Sequence, residues 1–130
     1  MTTAKPEPCP FCALHQERIV ATNGLAVATR DGFPVSPGHT LIIPKRHVAT
    51  FFETTTEERL AMFELMDKAK HGIDAEFHPA SYNIGVNDGP AAGQTIAHVH
   101  IHLIPRYAGD DADPRGGVRR IFPKKAKYWK

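Results

Sequence analysis

The stretch Thr95-Ile-Ala-His-Val-His-Ile-His-Leu-Ile-Pro-Arg106 alternates polar and apolar residues with a period of two, the pattern of a half-buried β-strand. Alternate side chains of a strand share a face. His98, His100 and His102 are therefore predicted to project from one side, with Ala97, Val99, Ile101 and Leu103 directed into a core. A rise of roughly 3.3 Å per residue puts successive histidine Cα atoms about 7 Å apart. That is wider than one ion's coordination sphere, so the row by itself makes a poor metal site. It suits nucleophilic chemistry at phosphorus better: one neutral imidazole attacks while a neighbour binds phosphate oxygens or protonates a leaving group. The bland alternative, three solvated histidines on a sheet face, leaves the regular spacing of an uncommon residue unexplained.

Upstream, Ser81–Asn87 reads as a strand, followed by the turn Asp88-Gly-Pro-Ala-Ala-Gly93 and by Gln94 and Thr95. Backbone N–H groups of such turns form concavities for anions, so a phosphate cradle is expected beside the histidines. Further back, Thr55 and Glu58 have capping-box spacing and open a helix that Pro79 ends. Its apolar stripe is Met62, Met66, Ala69, Ile73 and Phe77; Phe63 and Leu65, off the stripe, are expected in water in a monomer, where a partner helix could cover them. His39-Thr-Leu-Ile-Ile-Pro44 reads as a buried strand after the breaker-rich loop 30–38. Arg18–Ala21 and Leu25–Thr29 read as two strands around Asn23-Gly24, and a short helix is expected within 9–17. The order of strands, one long helix and strands predicts an α+β fold, a mostly antiparallel sheet with one helix packed on it.

The 130 residues suit a single domain, 1–130, with a core at about 9–107 and a basic tail at 108–130. No signal-like apolar segment begins the chain and no run is long enough to span a bilayer, so a cytoplasmic protein without a membrane partner is expected. Residues 114–130 carry seven basic and no acidic residues, leaving the rest with nine basic and 14 acidic. The tail is either a solvated end or a partner for phosphate or for an acidic subunit surface. With few aromatics among its charges, nucleic acid is not an expected partner. Cys9-Pro-Phe-Cys12 reads as a metal half-site or a redox pair, and a zinc site would need histidines to complete it, with His15 one candidate by spacing.

Gly93-Gln-Thr-Ile-Ala-His-Val-His-Ile-His-Leu-Ile-Pro-Arg106 resembles the signature of the histidine-triad (HIT) superfamily, and Pro37-Gly-His-Thr-Leu-Ile-Ile-Pro-Lys-Arg-His47 resembles its other hallmark segment. Asp88–Thr95 is similar to the diadenosine-polyphosphate hydrolase branch. The resemblance spans about 9–107 and implies a HIT-like fold, dimerising through joined sheets. It makes His100 the nucleophile, with His98, His102 and His39 as the other catalytic histidines. Asp31 falls at a ribose-binding position, and Asn87, Gln94 and Thr95 at nucleotide-binding positions. The cysteine pair resembles the zinc-binding branch, where Cys9, Cys12, His47 and His98 would hold one structural zinc. No organic cofactor is implied. His71 and His78 are expected at the surface. The tail resembles C-terminal segments of bacterial members.

The function these features predict is cleavage of dinucleoside polyphosphates, or related nucleotide phosphoanhydrides, through a nucleotidyl-histidine. Phosphorolysis, nucleoside phosphoramidate hydrolysis and slow-turnover regulatory nucleotide binding are the other readings. A zinc-only structural domain would leave His100 and His102 without a role.

Overall fold

The computed structural model describes residues 9–130. Five strands, β1 (Ile19–Thr22), β2 (Ala26–Arg30), β3 (Thr40–Pro44), β4 (Ser81–Gly85) and β5 (Ile101–Arg106), form one sheet in the order β1-β2-β3-β5-β4. All neighbouring pairs are antiparallel. The single α-helix among the described residues, α1 (Thr56–Phe77), lies between β3 and β4 in the chain and packs on one face of the sheet. The α+β architecture is thus the expected one.

α1 starts where its cap chemistry places it. Thr55 Oγ1 accepts the Glu58 N–H, and the Glu58 carboxylate accepts the Thr55 N–H in return. At the far end His78 takes a left-handed backbone (φ 53°), donates its N–H to the Asp74 carbonyl, and Pro79 prevents continuation. Met62, Leu65, Ala69 and Ile73 of α1 meet Ala26, Ala28, Ile42, Ile101 and Leu103 of the sheet in the core. Leu65 departs from expectation: it is 2% exposed, because the buried arc of the helix is wider than the stripe drawn through Met66 and Phe77. Phe63 remains exposed.

Gly38 brings the loop before β3 down onto the end of the helix. Its φ is +86°, and a Cβ there would come within 2.9 Å of the Phe77 ring. The β1–β2 connection is fixed to the helix by Asn23, whose side-chain oxygen accepts two backbone N–H groups while its amide donates to the Ala61 carbonyl.

The largest departure is in the histidine stretch. Strand pairing begins at Ile101, not near Thr95. β3 pairs with β5 only across Thr40–Ile42 and Ile101–Leu103. β3 ends at Pro44, which has no N–H for a ladder, and the Val99 N–H instead donates to the Val48 carbonyl. Residues 95–100 therefore lie outside the ladder, with a bend at 96–98. Ala97, expected in the core, is exposed, whereas His98 is fully buried. β4 likewise stops at Gly85, before the expected Asn87. Within 9–17 the expected short helix is only a turn at Cys9–Cys12 followed by a 3-10 turn at Gln16–Arg18. Past β5 the chain forms two short 3-10 segments, Gly117–Ile121 and Pro123–Lys125, the first packed beside β4. Among the described residues no helix is long and apolar enough to cross a membrane.

Candidate functional site

The bend ahead of β5 separates His98 from the other two histidines. Its Nε2 lies 2.7 Å from the Pro44 carbonyl oxygen. A carbonyl only accepts, so Nε2 carries the proton and Nδ1 keeps a lone pair. That Nδ1 sits 3.4 Å from Cys9 Sγ and 3.6 Å from Cys12 Sγ, and Cys12 Sγ is 3.2 Å from His47 Nδ1. The four donor atoms all lie within 4.8 Å of one another. Ligands bound at about 2.3 Å (sulfur) and 2.0 Å (nitrogen) around a tetrahedral zinc stand roughly 3.5 Å apart, so this set fits such an ion. Burial depresses the His98 pKa against the opposing pull of the Pro44 carbonyl, favouring the neutral ring that ligates. His15, the rival ligand by spacing, is exposed and lies 3.6 Å from Glu17, not with the thiols.

Next to His47, Arg46 makes a two-pronged ion pair with Glu58, at 2.8 and 3.1 Å. The Arg46 guanidinium holds the Glu58 carboxyl down at about 2. One carboxylate thus caps α1 and ties the His47 segment to it.

His100 is oriented by backbone. Its Nδ1 is 3.0 Å from the His98 carbonyl oxygen, so Nδ1 donates and Nε2 is left with an open lone pair. The Phe11 ring, between the two cysteines, packs edge-on against it at 4.9 Å between centroids.

His102 is oriented by a relay. The Val35 N–H donates to His39 Nδ1 at 3.2 Å, so His39 must carry its proton on Nε2. That Nε2 lies 3.0 Å from His102 Nδ1 and 3.4 Å from Asp31 Oδ2. His102 Nδ1 therefore accepts, and its proton is on Nε2 at the other side of the ring. Burial first, then the neighbouring His100 and His39, pushes His102 down to about 4. Burial also lowers His39, with Asp31 pulling it back up. Both rings are neutral near pH 7.

His39, His100 and His102 line one cleft of about 410 Å³, together with Asp31, Asn87, Gln94 and Thr95. The expected phosphate cradle has a different construction. Gln94 Oε1 accepts the Gly89 N–H, its amide donates to the Ala49 and Ile96 carbonyls, and the N–H groups of Ala92, Gly93 and Gln94 bond back inside the turn. Gln94 thus braces the turn, and those backbone donors are already engaged. Phe11 and the Arg46–Glu58 pair were missed in the sequence. Phe11 is signalled only by lying inside the cysteine motif, which any metal loop must carry with it.

Residues 14–109 match the HIT domain family. The chain belongs to the HIT family. This HIT protein is 37% identical to Protein hit of Bacillus subtilis over 109 residues, 81% of this chain and 75% of that one. It is 42% identical over 77 residues to the asymmetrical bis(5'-nucleosyl)-tetraphosphatase of Schizosaccharomyces pombe, covering 59% of this chain and 42% of that enzyme. The AP-4-A phosphorylase of Mycobacterium tuberculosis is 33% identical over 93 residues, 71% of this chain and 48% of the enzyme. The matches span under half of both named enzymes. Among solved structures, a HIT family protein from Bacillus anthracis superposes with a TM-score of 0.72 at 37% identity, covering 79% of this chain and 76% of that one. A Zn-bound histidine triad family protein from Mycobacterium smegmatis gives 0.72 at 31% identity, with 81% and 79% covered.

Proposed function

We propose that this HIT protein transfers a nucleotidyl group through His100, hydrolysing dinucleoside polyphosphates or related nucleotide phosphoanhydrides. The observation that carries the reading is the His98 carbonyl on His100 Nδ1, which leaves Nε2 as a nucleophile of fixed tautomer. In the first step the Nε2 lone pair forms a bond to the α-phosphorus while the bond from phosphorus to the bridging oxygen breaks, its electrons leaving with the polyphosphate. His102 Nε2–H faces this chemistry as a donor. As a neutral ring it donates a hydrogen bond that stabilises the charge developing on the departing oxygen, and solvent supplies the proton that oxygen takes up. His39 and Asp31 hold His102 in this tautomer. In the second step water attacks phosphorus, the P–N bond breaks and His100 is regenerated. Thr95 and Asn87 are assigned to phosphate and Asp31, in addition to its contact with His39, to the ribose.

Zinc on Cys9, Cys12, His47 and His98 supports the same site structurally. With four protein ligands it offers no open position for substrate, and it would fix both His98 and the Phe11 loop. The donor geometry supports this assignment, as does the Zn-bound M. smegmatis relative.

His100→Ala and His100→Asn should lower turnover of a diadenosine polyphosphate by more than tenfold while nucleotide affinity stays within threefold. Acid quenching of wild type with labelled substrate should trap a nucleotidyl-protein. Activity above a tenth of wild type in either variant would sink the assignment. The AP-4-A phosphorylase relative makes inorganic phosphate a second acceptor to test, and products formed with and without phosphate separate hydrolysis from phosphorolysis.

A further inference from the structure

The loop that delivers His39 to the cleft is tied to the strand that carries His102. β3 begins at Thr40, paired with Leu103, so the ladder between β3 and β5 ends there. On β5 the Arg106 carbonyl accepts the Ala80 N–H on the β4 side, which turns the Pro105 carbonyl toward the β3 side. In place of a strand N–H, the Ser36 hydroxyl donates to that carbonyl at 2.7 Å. The Ser36 carbonyl in turn accepts the His39 N–H at 3.1 Å, and the N–H of the preceding residue, Val35, donates to His39 Nδ1 at 3.2 Å. One serine thus links β5 to the imidazole whose Nε2 reaches back to β5 at His102 Nδ1, 3.0 Å away.

We propose that Ser36 is a positioning residue for the transfer reaction, fixing through Val35 and His39 the tautomer that makes His102 a donor to the departing oxygen. The inference rests on the nucleotidyl-transfer reading above and adds to it a residue outside the histidines. The donors run in one direction: Val35 N–H to His39 Nδ1, His39 Nε2–H to His102 Nδ1, and His102 Nε2–H into the cleft. Once the Val35 N–H moves away, His39 is free to carry its proton on Nδ1. Its Nε2 then accepts, His102 donates from Nδ1, and His102 Nε2 holds a lone pair where the donor was needed. Net charge is unchanged, and only the two tautomers exchange. Asp31 opposes the exchange weakly, since its Oδ2 lies 3.4 Å from His39 Nε2, outside the roughly 2.7–3.2 Å of a good N–H···O bond. Val35 is 73% exposed, so its own side chain does little to hold its N–H in place. On the other side of Ser36 the loop has a separate tie, from the Tyr107 hydroxyl to the Pro37 carbonyl at 2.6 Å. Ser36 is the tie next to Val35.

Ser36→Ala removes the hydroxyl, and Ser36→Thr keeps one. Imidazole nitrogen chemical shifts of the natively purified proteins, with His102 assigned through His102→Gln, read the tautomer directly. Wild type and Ser36→Thr should show His102 protonated at Nε2, whereas in Ser36→Ala at least half of it should be protonated at Nδ1. Two adenylyl esters read the consequence. Adenosine 5′-phenyl phosphate, whose phenoxide leaves poorly, needs the His102 donor more than adenosine 5′-(para-nitrophenyl phosphate) does. Ser36→Ala should lower kcat at least tenfold for the phenyl ester and no more than threefold for the nitrophenyl ester, with both KM values within twofold. Ser36→Thr should return the phenyl ester to within threefold of wild type. Val35→Pro, which deletes the N–H at the other end of the same link, should reproduce the Ser36→Ala tautomer and ester ratio, and it decides the matter if Ser36→Ala does not fold. Equal slowing of the two esters, or a wild-type tautomer at His102 in the variants, would overturn the role of Ser36. Wild-type protein that cleaves neither ester and forms no nucleotidyl-protein would instead overturn the transfer reading, while the nitrogen shifts would still judge the positioning.

Discussion

The imidazole of His98 lies among the thiols while its backbone carbonyl holds the Nδ1 proton of His100, so one residue serves two neighbouring sites through different atoms. Replacing the side chain leaves the carbonyl in place but frees the bend that presents it. His102 gives the clearest pH signature. Its folded pKa of about 4 lies below the ordinary value of 6.5, so between those pH values the unfolded chain binds the extra proton. Its contribution to stability is therefore complete above pH 6.5 and is lost as the pH falls toward 4. Urea unfolding of the metal-saturated protein from pH 7 to 5 should show stability falling, with His102 contributing a slope of up to about 1.4 kcal/mol per pH unit. His102→Gln should flatten that slope. An unchanged slope in the variant would show that the neutral ring is not what acid disrupts.

The N-terminus of α1 and the segment carrying His47 form one mechanical unit, because Glu58 serves both. Glu58→Gln keeps an acceptor for the Thr55 N–H but removes the charge that Arg46 meets, and should cost about 1–3 kcal/mol. Chemical unfolding measures this directly. Glu58 stabilises the fold above its unfolded pKa near 4.5, and that contribution is lost as pH falls through about 2. The cysteine loop is the second such unit. Natively purified protein should hold about one zinc per chain, and Cys9→Ser should lose the metal and lower Tm more than it lowers kcat. Elemental analysis finding no zinc in a chelator-free preparation argues against the four-ligand assignment.

For the whole molecule, the family resemblance leads to a C2 homodimer, and the fold leaves surface for one. Phe63 (43%) and Leu60 (58%) are exposed on α1, and β4 is an outer strand. Leu65 no longer supports that expectation, since it belongs to the monomer's own core. Trp129 packs within the tail, under the Arg115 guanidinium at 4.4 Å. Light scattering at micromolar concentration should give about twice the 14.4 kDa chain mass. A value near the single-chain mass would refute the dimer.

Much of this could be read in the sequence because it is local. A period of two, a period near 3.6, the Thr55–Glu58 box and Pro79 are conditions on neighbouring residues, and they fixed the element order and the helix ends. The histidine spacing likewise marked the residues to which the proposed function assigns the chemistry. Which nitrogen of each ring is free was not local. It depends on Pro44 for His98, on the His98 carbonyl for His100, and on Val35 and His39 for His102, and a proton's position follows its partner atom, not its sequence neighbours. The same holds for the bend before Ile101, where a proline on another strand ends the ladder and alternation alone predicted that it would continue. Motif resemblance pointed to the candidate metal ligands, but only the fold brings Cys9 and Cys12 to His47 and His98.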